Sequence, residues 1–336
     1  MKLPLIQPLE DQFGRKIRYL RISVTDRCNL RCQYCMPAEG VAVRPRPEIL
    51  TYEELFRLGR LFASVGFVKF RFTGGEPLVR RELVPFLAEF SQIPGVQTLA
   101  MSTNAVLLGE HAEGLARAGV QRLNISLDTL DRDTFVTLQR RDELQRTLEG
   151  IEAARAQPFE RIKLNAVIIR GVNDQEILAL ADHALERDLE IRFIEFMPTG
   201  LQREWNEDRV VPAEEIRSRM SAKWSDLKPV SEPNGTSGPA RDWTFAGGRG
   251  RVGFITAVSD TFCQACNRVR LTSDGNLRGC LFSDGQRSLR DVMRAGGTDD
   301  DILDVIRHVV WNKVESHHIG RDDFEPVKLG MSELGG

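Results

Sequence analysis

The stretch Arg21-Ile-Ser-Val-Thr-Asp-Arg-Cys28-Asn-Leu-Arg-Cys32-Gln-Tyr34-Cys35-Met-Pro37 decides how the rest of the chain is interpreted. Its three cysteines have the spacing C-x3-C-x2-C and follow a β-branched run that predicts a strand. Three thiolates on one loop can hold three irons of a four-iron cluster, and no fourth cysteine lies near them in the sequence. The fourth iron would then keep an open coordination position, which indicates chemistry rather than a structural role.

Length and composition set only broad limits on the class of protein. The chain has 336 residues, of which 41% are hydrophobic and 28% are charged, as in ordinary globular proteins. Its formal net charge of −2 provides no global basic field for nucleic acid or an anionic membrane. Prolines and an acid stand at the N-terminus where a signal peptide would be apolar, and no run approaches the ~20 apolar residues of a membrane span. We therefore expect a cytoplasmic protein.

Apolar strand-like runs alternate with segments of helical periodicity through the first two thirds of the chain. The runs cover residues 17–24, 67–73, 97–102, 121–127, 162–169 and 190–196. Six strand–helix units in series predict an α/β fold with a parallel sheet and helices outside it. Both an open doubly wound sheet and a barrel fit this alternation. A stretch rich in Pro, Gly and Ser from residue 229 to 240 predicts a linker. We expect a first domain over 1–228 and a second over 229–336.

Polar residues follow or interrupt the predicted strands. The second strand is followed by Thr73-Gly74-Gly75-Glu76-Pro77, in which two glycines let the backbone approach a ligand closely. Alone, this sequence is typical of a turn. Later strands carry Ser102, Asn124, Ser126, Asp128 and Lys163, and the sixth ends near Met197. Because active sites gather at the carboxyl ends of parallel strands, five such strands in succession predict a shared ligand channel.

A second set of three cysteines, Cys263, Cys266 and Cys280, has the spacing C-x2-C-x13-C. A structural zinc site of three cysteines and one histidine is an alternative, although none of the five histidines is close in sequence. Disulfides are disfavoured, because clustered cysteines in a large cytosolic chain are typical of metal sites. Three cysteines without a fourth again predict a cluster with one open iron.

Several cations lie inside or beside apolar strands: Arg21, Arg71, Lys163, Arg268 and Arg270. The last two alternate about Val269, as on an extended segment, so both side chains point to one side. A buried cation without a partner is costly, and a polyanionic ligand would provide the missing charge. Arginine forks and a lysine suit a triphosphate. No Walker A sequence is present, so this would not be a P-loop nucleotide site.

Together these motifs resemble those of the GTP 3′,8-cyclase family of radical S-adenosylmethionine (SAM) enzymes, which open molybdenum cofactor biosynthesis. The resemblance runs from about Arg21 to Cys280 and resumes at the terminal Gly335-Gly336. It rests on both cysteine triads, on residues 74–77, 124–128 and 191–197, and on the Asn-Arg-Val-Arg sequence after Cys266.

The resemblance implies an incomplete (β/α)6 barrel of the TIM type, closed at one side by a C-terminal domain that holds a second [4Fe-4S] cluster. In that family the first cluster reduces SAM to methionine and a 5′-deoxyadenosyl radical, which removes the hydrogen at C3′ of the GTP ribose. The carbon radical then attacks C8 of guanine and gives 3′,8-cyclo-7,8-dihydro-GTP. The open iron of the second cluster binds the guanine base.

The resemblance also implies roles for individual residues. It assigns the SAM cluster to Cys28, Cys32 and Cys35, and the second cluster to Cys263, Cys266 and Cys280. It assigns SAM contacts to Tyr34, Gly75, Ser126 and Met197. It assigns GTP contacts to Arg21, Arg71, Ser102, Lys163, Arg268, Val269 and Arg270. The tail residues Gly335 and Gly336 would enter the active site and take part in catalysis. The chain departs from the family at Ser102, where threonine is common, and at Ala105, where glycine is common; we expect the second change to alter only a turn.

The partners implied are GTP, an electron donor and the downstream cyclic pyranopterin monophosphate synthase, with the chain acting as a homodimer or a monomer. Two alternatives stay open. One is another radical SAM enzyme with an auxiliary cluster, for example a peptide-modifying enzyme, against which the cations and the Gly-Gly end argue. The other is a non-catalytic iron–sulfur or zinc protein, against which the Gly-Gly-Glu-Pro sequence and the polar strand ends argue.

Overall fold

A long sheet of mainly parallel strands forms the centre of the molecule. The structure, a computed structural model, describes residues 8–199, 205–230, 239–245, 250–283, 285–319, 324 and 330–335. Most of the predicted linker, residues 231–238, and the terminal Gly336 lie outside the described residues. Within the described ranges, no helix is both long and apolar enough to span a membrane.

The strands and helices alternate as the sequence predicts. The described strands are β1 (Leu9–Glu10), β2 (Lys16–Ile17), β3 (Tyr19–Ser23), β4 (Lys69–Thr73), β5 (Thr98–Thr103), β6 (Arg122–Ser126), β7 (Arg161–Ile168), β8 (Glu190–Glu195), β9 (Leu227–Pro229), β10 (Arg241–Phe245), β11 (Arg251–Ile255), β12 (Arg268–Leu271), β13 (Asn276–Arg278) and β14 (Gln286–Ser288). The described helices are α1 (Tyr52–Ser64), α2 (Leu83–Phe90), α3 (Leu108–Arg117), α4 (Arg132–Gln139), α5 (Leu144–Arg155), α6 (Ile177–Glu186), α7 (Ala213–Lys223), α8 (Leu289–Arg294), α9 (Asp299–Trp311) and α10 (Met331–Leu334).

The six predicted strands are β3 to β8, and each pairs with the next in parallel. They form the middle of a twelve-stranded sheet with the order β14-β13-β12-β3-β4-β5-β6-β7-β8-β11-β10-β9. Strand β11 adds in parallel to β8, and β12 adds in parallel to β3. Strands from beyond residue 228 therefore extend both edges of the same sheet, and a domain division at that residue stays a prediction.

The sheet is curved into an incomplete barrel, which settles the choice between an open sheet and a barrel. Arg192 of β8 and Arg268 of β12 are six strand positions apart in the sheet, yet both line one cavity of ≈ 460 Å³. In a flat sheet they would lie about 29 Å apart. The outermost described strands, β14 and β9, do not pair with each other, so the barrel is not closed by hydrogen bonds. The predicted fold class is confirmed.

Alternation along each strand separates the apolar core from the barrel interior. In β4, Phe70 and Phe72 point outward and meet Phe90 of α2 edge to face, at ring-centroid distances of 5.3 and 4.9 Å. Lys69 and Arg71, which alternate with these phenylalanines along the strand, line the cavity. A strand with helices on its outer face needs apolar side chains only on that face, because successive side chains point to opposite sides. The polar inner face is therefore available for a ligand.

Ala105 follows β5 in a conformation that favours glycine. Its φ is +64°, in the left-handed region that costs a residue with a Cβ atom roughly 1–2 kcal/mol. Its carbonyl oxygen lies 2.2 Å from where a Cβ of Gly150 would stand, so helix α5 packs directly against this turn. The departure from the family's usual glycine thus falls on a tight turn beneath α5, as expected.

Candidate active site

All six cysteines line the cavity inside the barrel. Five of them are half-buried, Cys263 is buried, and all are free thiols. The first triad follows β3, whereas Cys263 and Cys266 precede β12, the parallel neighbour of β3. Cys280 follows β13, which runs antiparallel to β12 and so ends near the start of β12. The triads therefore lie at opposite ends of β3, about 16 Å apart for a five-residue strand.

The Gly-Gly-Glu-Pro turn holds the loop that carries the first triad. Gly75 N–H donates to the Thr25 carbonyl at 2.9 Å, and Glu76 N–H donates to the Arg27 carbonyl at 2.8 Å. A Cβ on Gly75 would lie 2.3 Å from the Arg27 oxygen. Glycine is therefore required there for contact between two backbones, independently of any ligand.

Glu76 fixes this turn to the end of β5. Its side chain is buried and accepts hydrogen bonds from the Thr103 hydroxyl at 2.8 Å and the Asn104 N–H at 2.7 Å. Burial raises the pKa of its carboxyl to about 7, although these hydrogen bonds act in the opposite direction. The Asn104 side chain in turn donates to Asn29, next to Cys28, at 2.7 Å. The Gly-Gly-Glu-Pro motif alone does not predict this structural role of Glu76, which depends on contacts with the distant strand β5.

The donor set of the first triad fits an iron–sulfur cluster. Burial raises the pKa of the Cys32 thiol well above its usual range, and its interactions with Cys35 and Cys28 raise it further. The pKa of Cys28 is raised to about 11 and that of Cys35 to about 12, in both cases mainly by burial. Thiols that resist ionisation together need a positive partner to become thiolates, and iron provides one. Within the described ranges, no three Cys, His, Asp or Glu side chains converge on a single metal ion.

The residues predicted to contact SAM lie around the same cavity: Tyr34, Gly75, Ser126 and Met197. The Tyr34 hydroxyl donates to the Asp128 carboxylate at 2.6 Å, and this buried carboxylate also accepts from the Gln139 side chain at 2.7 Å. Burial raises the pKa of Asp128. Gln139 also contacts the Cys32 sulfur through its amide oxygen. No motif in the sequence predicts the role of Gln139, which follows from the packing of α4 against the cysteine loop.

The second triad has a different electrostatic environment. Burial raises the pKa of the Cys266 thiol, but the positive charges of Arg268 and Lys313 outweigh it and lower the pKa to about 6. Burial raises the pKa of Cys263. Cys266 is thus poised to be a thiolate at neutral pH before any metal binds. Three thiols lining the cavity, one of them with a lowered pKa, fit a second iron–sulfur cluster.

The wall between the triads is strongly cationic. Nine cations line the cavity, against two carboxylates, Asp128 and Asp242: Arg21, Lys69, Arg71, Arg122, Arg161, Lys163, Arg192, Arg268 and Arg270. All five cations singled out in the sequence are among them. The other four were missed, although their alternation with apolar neighbours in β4, β6, β7 and β8 would have predicted an inward direction. This excess of positive charge favours a polyanionic ligand.

At least four of these cations lie within ion-pair distance of a carboxylate in the described part of the chain: Arg122, Arg161, Lys163 and Arg192. Lys163 Nζ lies 2.7 Å from the Glu190 carboxylate, and Arg192 lies 3.5 Å from Asp242. Burial and Arg192 lower the pKa of Lys163 to about 8, while Glu190 acts in the opposite direction. A polyanion is therefore not the sole counter-charge available to Lys163, in contrast to the expectation from sequence.

Tyr19 lies among the cations at the start of β3. Its hydroxyl accepts a hydrogen bond from Arg71 Nε at 2.6 Å, and Lys69 Nζ lies 4.7 Å from its ring centroid. Burial would raise the pKa of its phenol, but Arg71, Arg21 and the neighbouring cations outweigh this and lower it to about 7. Tyr19 can therefore carry a negative charge near neutral pH and partly balance the cavity.

The remaining predicted site residues occupy different environments. Ser102 lines the cavity and lies 3.4 Å from Arg71 Nη1. The Val269 side chain is fully buried in the core and does not line the cavity. Its backbone takes part in the pairing of β12 with β3. The Gly335 carbonyl accepts from Arg270 Nη1 at 3.1 Å, which places Gly335 beside a cavity-lining arginine. A Cβ on Gly335 would lie 3.2 Å from the Thr73 side chain.

Comparison with known protein families divides the chain into two matched parts. The Radical SAM superfamily matches residues 22–184. The Molybdenum Cofactor Synthesis C family matches residues 189–319. The first match contains the first cysteine triad, and the second contains the other triad.

Curated relatives match nearly the whole chain. GTP 3′,8-cyclase of Geobacter sulfurreducens is 48% identical over 330 residues, which cover 98% of this chain and 99% of the relative. GTP 3′,8-cyclase of Moorella thermoacetica is 44% identical and covers 98% and 100%. Molybdenum cofactor biosynthesis protein 1 of Drosophila melanogaster is 42% identical over 92% of this chain and 54% of its own length.

Solved structures with low sequence identity share the fold. SuiB of Streptococcus suis, bound to the precursor peptide SuiA, has a TM-score of 0.61 at 15% identity and covers 88% of this chain and 68% of SuiB. The protein anSMEcpe with bound AdoMet has a TM-score of 0.56 at 12% identity and covers 94% and 93%. At such identities the likeness concerns the architecture alone.

The close approach of Gly75 to the cysteine loop makes a prediction about iron. Gly75→Ala should displace residues 25–27 and reduce the iron bound at the first triad, by up to about four atoms per chain. Iron and sulfide counted after anaerobic reconstitution measure this loss. Gly109→Ala is the matched control, because no atom lies within 4 Å of its added Cβ. A wild-type iron content in Gly75→Ala would contradict the packing explanation.

The charge on Tyr19 makes a prediction about pH. A bound polyanion competes with the phenolate for the same cations, so it should bind best when Tyr19 is protonated. The affinity of the wild type for inorganic tripolyphosphate should therefore fall, relative to Tyr19→Phe, as the pH rises through about 7, by up to about tenfold per pH unit. Calorimetric titration across the pH range measures this difference. Tyr52→Phe, outside the cavity lining, should behave as wild type. Parallel pH profiles for wild type and Tyr19→Phe would refute the assignment.

Proposed function

This chain belongs to the GTP 3′,8-cyclase family of radical SAM enzymes, and on that premise we propose how its residues cyclise GTP. The reaction gives (8S)-3′,8-cyclo-7,8-dihydroguanosine 5′-triphosphate and is the first step of molybdenum cofactor biosynthesis. The observation that carries the proposal is a single cavity with a cysteine triad at each end and nine cations along its wall. The arrangement accommodates a nucleotide triphosphate between two metal centres.

The radical SAM superfamily uses a [4Fe-4S] cluster with SAM, and we assign that cluster to Cys28, Cys32 and Cys35. When bound, they would supply a 5′-deoxyadenosyl radical that takes the hydrogen from C3′ of the ribose; C3′ would then bond to C8 of guanine, and one electron from the electron donor together with a proton would complete the dihydro product. The protein's part is to hold SAM and to exclude water. Tyr34, Gly75, Ser126 and Met197 are the proposed SAM contacts, and the hydrogen bond to Asp128 fixes the Tyr34 ring.

The inward-facing cations are the proposed binding site for the triphosphate and ribose. Arg21 and Arg71 face each other in register on β3 and β4, and Arg268 and Arg270 continue the set on β12. We add Lys69 and Arg192 to the predicted Lys163 and Ser102, because they line the same wall. Val269 would contribute through its backbone, since its side chain lies in the core.

The second triad is the proposed site of a second [4Fe-4S] cluster whose open iron binds the guanine base. Cys263, Cys266 and Cys280 lie at the end of the barrel opposite the SAM cluster. A strand of five residues, about 16 Å, separates the two ends and leaves space for one nucleotide with its reactive ribose toward SAM. Guanine held at one end and the radical source at the other would give the reaction its regiochemistry.

The alternatives are weaker than this assignment. A peptide-modifying radical SAM enzyme such as SuiB shares the architecture, but at 15% identity it supports only the fold. A non-catalytic iron–sulfur protein would have no use for a cationic cavity between its clusters. The electron donor, transfer of the product to cyclic pyranopterin monophosphate synthase, and a homodimeric or monomeric state stay predictions, as does a cytoplasmic location.

The reaction is tested by anaerobic reconstitution followed by assay. The wild type should bind about eight irons per chain and consume SAM in a GTP-dependent manner when a reductant is added. Cys263→Ser is the informative control, because it should keep about four irons at the first triad and lose cyclised product. Product is identified by mass spectrometry. A wild type with about four irons, or with SAM consumption that does not respond to GTP, would overturn the assignment.

The tail makes a separate prediction. Removal of Gly335 and Gly336 takes away the carbonyl that Arg270 contacts at 3.1 Å and leaves the longer contact of the same Nη1 with the Leu334 carbonyl at 3.4 Å, so Arg270 is held less firmly at the substrate wall. Formation of cyclised product should be abolished, while iron content and SAM cleavage stay largely intact. Quantifying 5′-deoxyadenosine and cyclised product in the same reaction separates the two effects. Full cyclase turnover by the truncated chain would show that the tail has no catalytic role.

A further inference from the structure

The ammonium group of Lys313 lies against the second cysteine triad, in a position that the proposed reaction does not account for. Lys313 follows helix α9 and its side chain is buried, with 2% of its surface exposed. Its Nζ lies 3.5 Å from the Cys266 sulfur and donates to the Gly279 carbonyl at 2.7 Å. Its Nζ therefore bridges Cys266 and Gly279, the residue before Cys280.

A lysine in this place needs a negative partner. Removing an ammonium from water is costly unless an opposite charge or hydrogen-bond acceptors compensate for it. In the part of the chain that the structure describes, no carboxylate lies within ion-pair distance of Lys313. The charged partner that the geometry offers is the Cys266 sulfur as a thiolate. Its side chain is also closely packed, since a Cβ on Gly279 would lie 3.3 Å from Lys313 Cγ.

A second basic residue fixes the backbone that carries Lys313. Arg15 donates to the Cys263 carbonyl at 2.8 Å and to the Val314 carbonyl at 2.7 Å. Its Nε contacts the buried Asp11 carboxylate at 2.5 Å, which neutralises it. The segment after α9 is thus fixed to the first cysteine of the triad. The charge of Lys313 is consequently held at a set place beside Cys266.

We propose that Lys313 is a positioning residue for the second cluster, which donates a hydrogen bond to the Cys266 thiolate and raises the reduction potential of that cluster. A hydrogen bond to a ligand sulfur, and a positive charge beside it, withdraw electron density from the iron and favour the reduced state. The iron also becomes a stronger acceptor for a ligand at its open position. This inference rests on the proposed second cluster.

The test compares holoenzymes of wild type, Lys313→Met and Lys313→Arg in redox titrations followed by electron paramagnetic resonance. Addition of SAM perturbs the signal of the first cluster and so separates the two. Lys313→Met should lower the potential of the second cluster and leave that of the first cluster unchanged. Lys313→Arg keeps the positive charge, so its second-cluster potential should lie close to the wild-type value. Lys228→Met, which removes an exposed lysine on β9, is the matched control and should leave both potentials unchanged.

A second-cluster potential in Lys313→Met equal to that of wild type overturns the inference. Where the methionine variant does not retain the second cluster, Lys313→Gln takes its place with the same two outcomes, a lowered potential in support and an unchanged one against. Iron counting distinguishes failure of the proposed second cluster from failure of the proposed role of Lys313. A wild type with about four irons would contradict the proposed second cluster itself, whereas about eight irons with an unchanged potential would contradict only the role of Lys313.

Discussion

Burial of positive charge inside the barrel is the constraint on which the rest of the site depends. Nine cations face one cavity, and desolvation makes such a surface costly unless negative or polar groups balance it. The protein supplies part of the balance through Glu190, Asp242, the Tyr19 phenol and the Gly335 carbonyl. The remainder fits a triphosphate. The affinity for substrate and the stability of the empty barrel are thus opposed, because every additional internal counter-charge would weaken the attraction for the ligand.

Parallel pairing of β3 with β12 converts two distant sequence motifs into one site. Each cysteine triad is attached to one of these strands, one triad after β3 and the other before β12. Because the strands run in the same direction, the triads must lie at opposite ends of the barrel. Antiparallel pairing would have placed them side by side, with no space for a substrate between them. The direction of one strand pair therefore defines a cavity with one cysteine triad at each end.

Sequence patterns predicted the six parallel strands of the barrel core, the two cysteine triads and five cavity cations, because each depends on local spacing or alternation. What they missed depends on contacts between distant segments. No pattern near Lys163 in the sequence predicts its ion pair with Glu190. Lys313 contacts Cys266 only because α9 packs on the sheet. The two glycines around Gly75 predict a close approach of the backbone to a ligand, whereas a Cβ on Gly75 would meet the backbone at Arg27 most closely. Such contacts follow from the tertiary fold and leave no periodic signal.

The position of β12 late in the chain also bears on how the protein is made. Strand β3 emerges early in synthesis, but its outer edge receives its partner only when residues 268–271 have been translated. Until then β3 exposes unpaired backbone groups, a feature that promotes aggregation. Contacts between such distant segments also form slowly, because a long loop must close first. The barrel edge beside the first triad is thus completed only after most of the polypeptide exists.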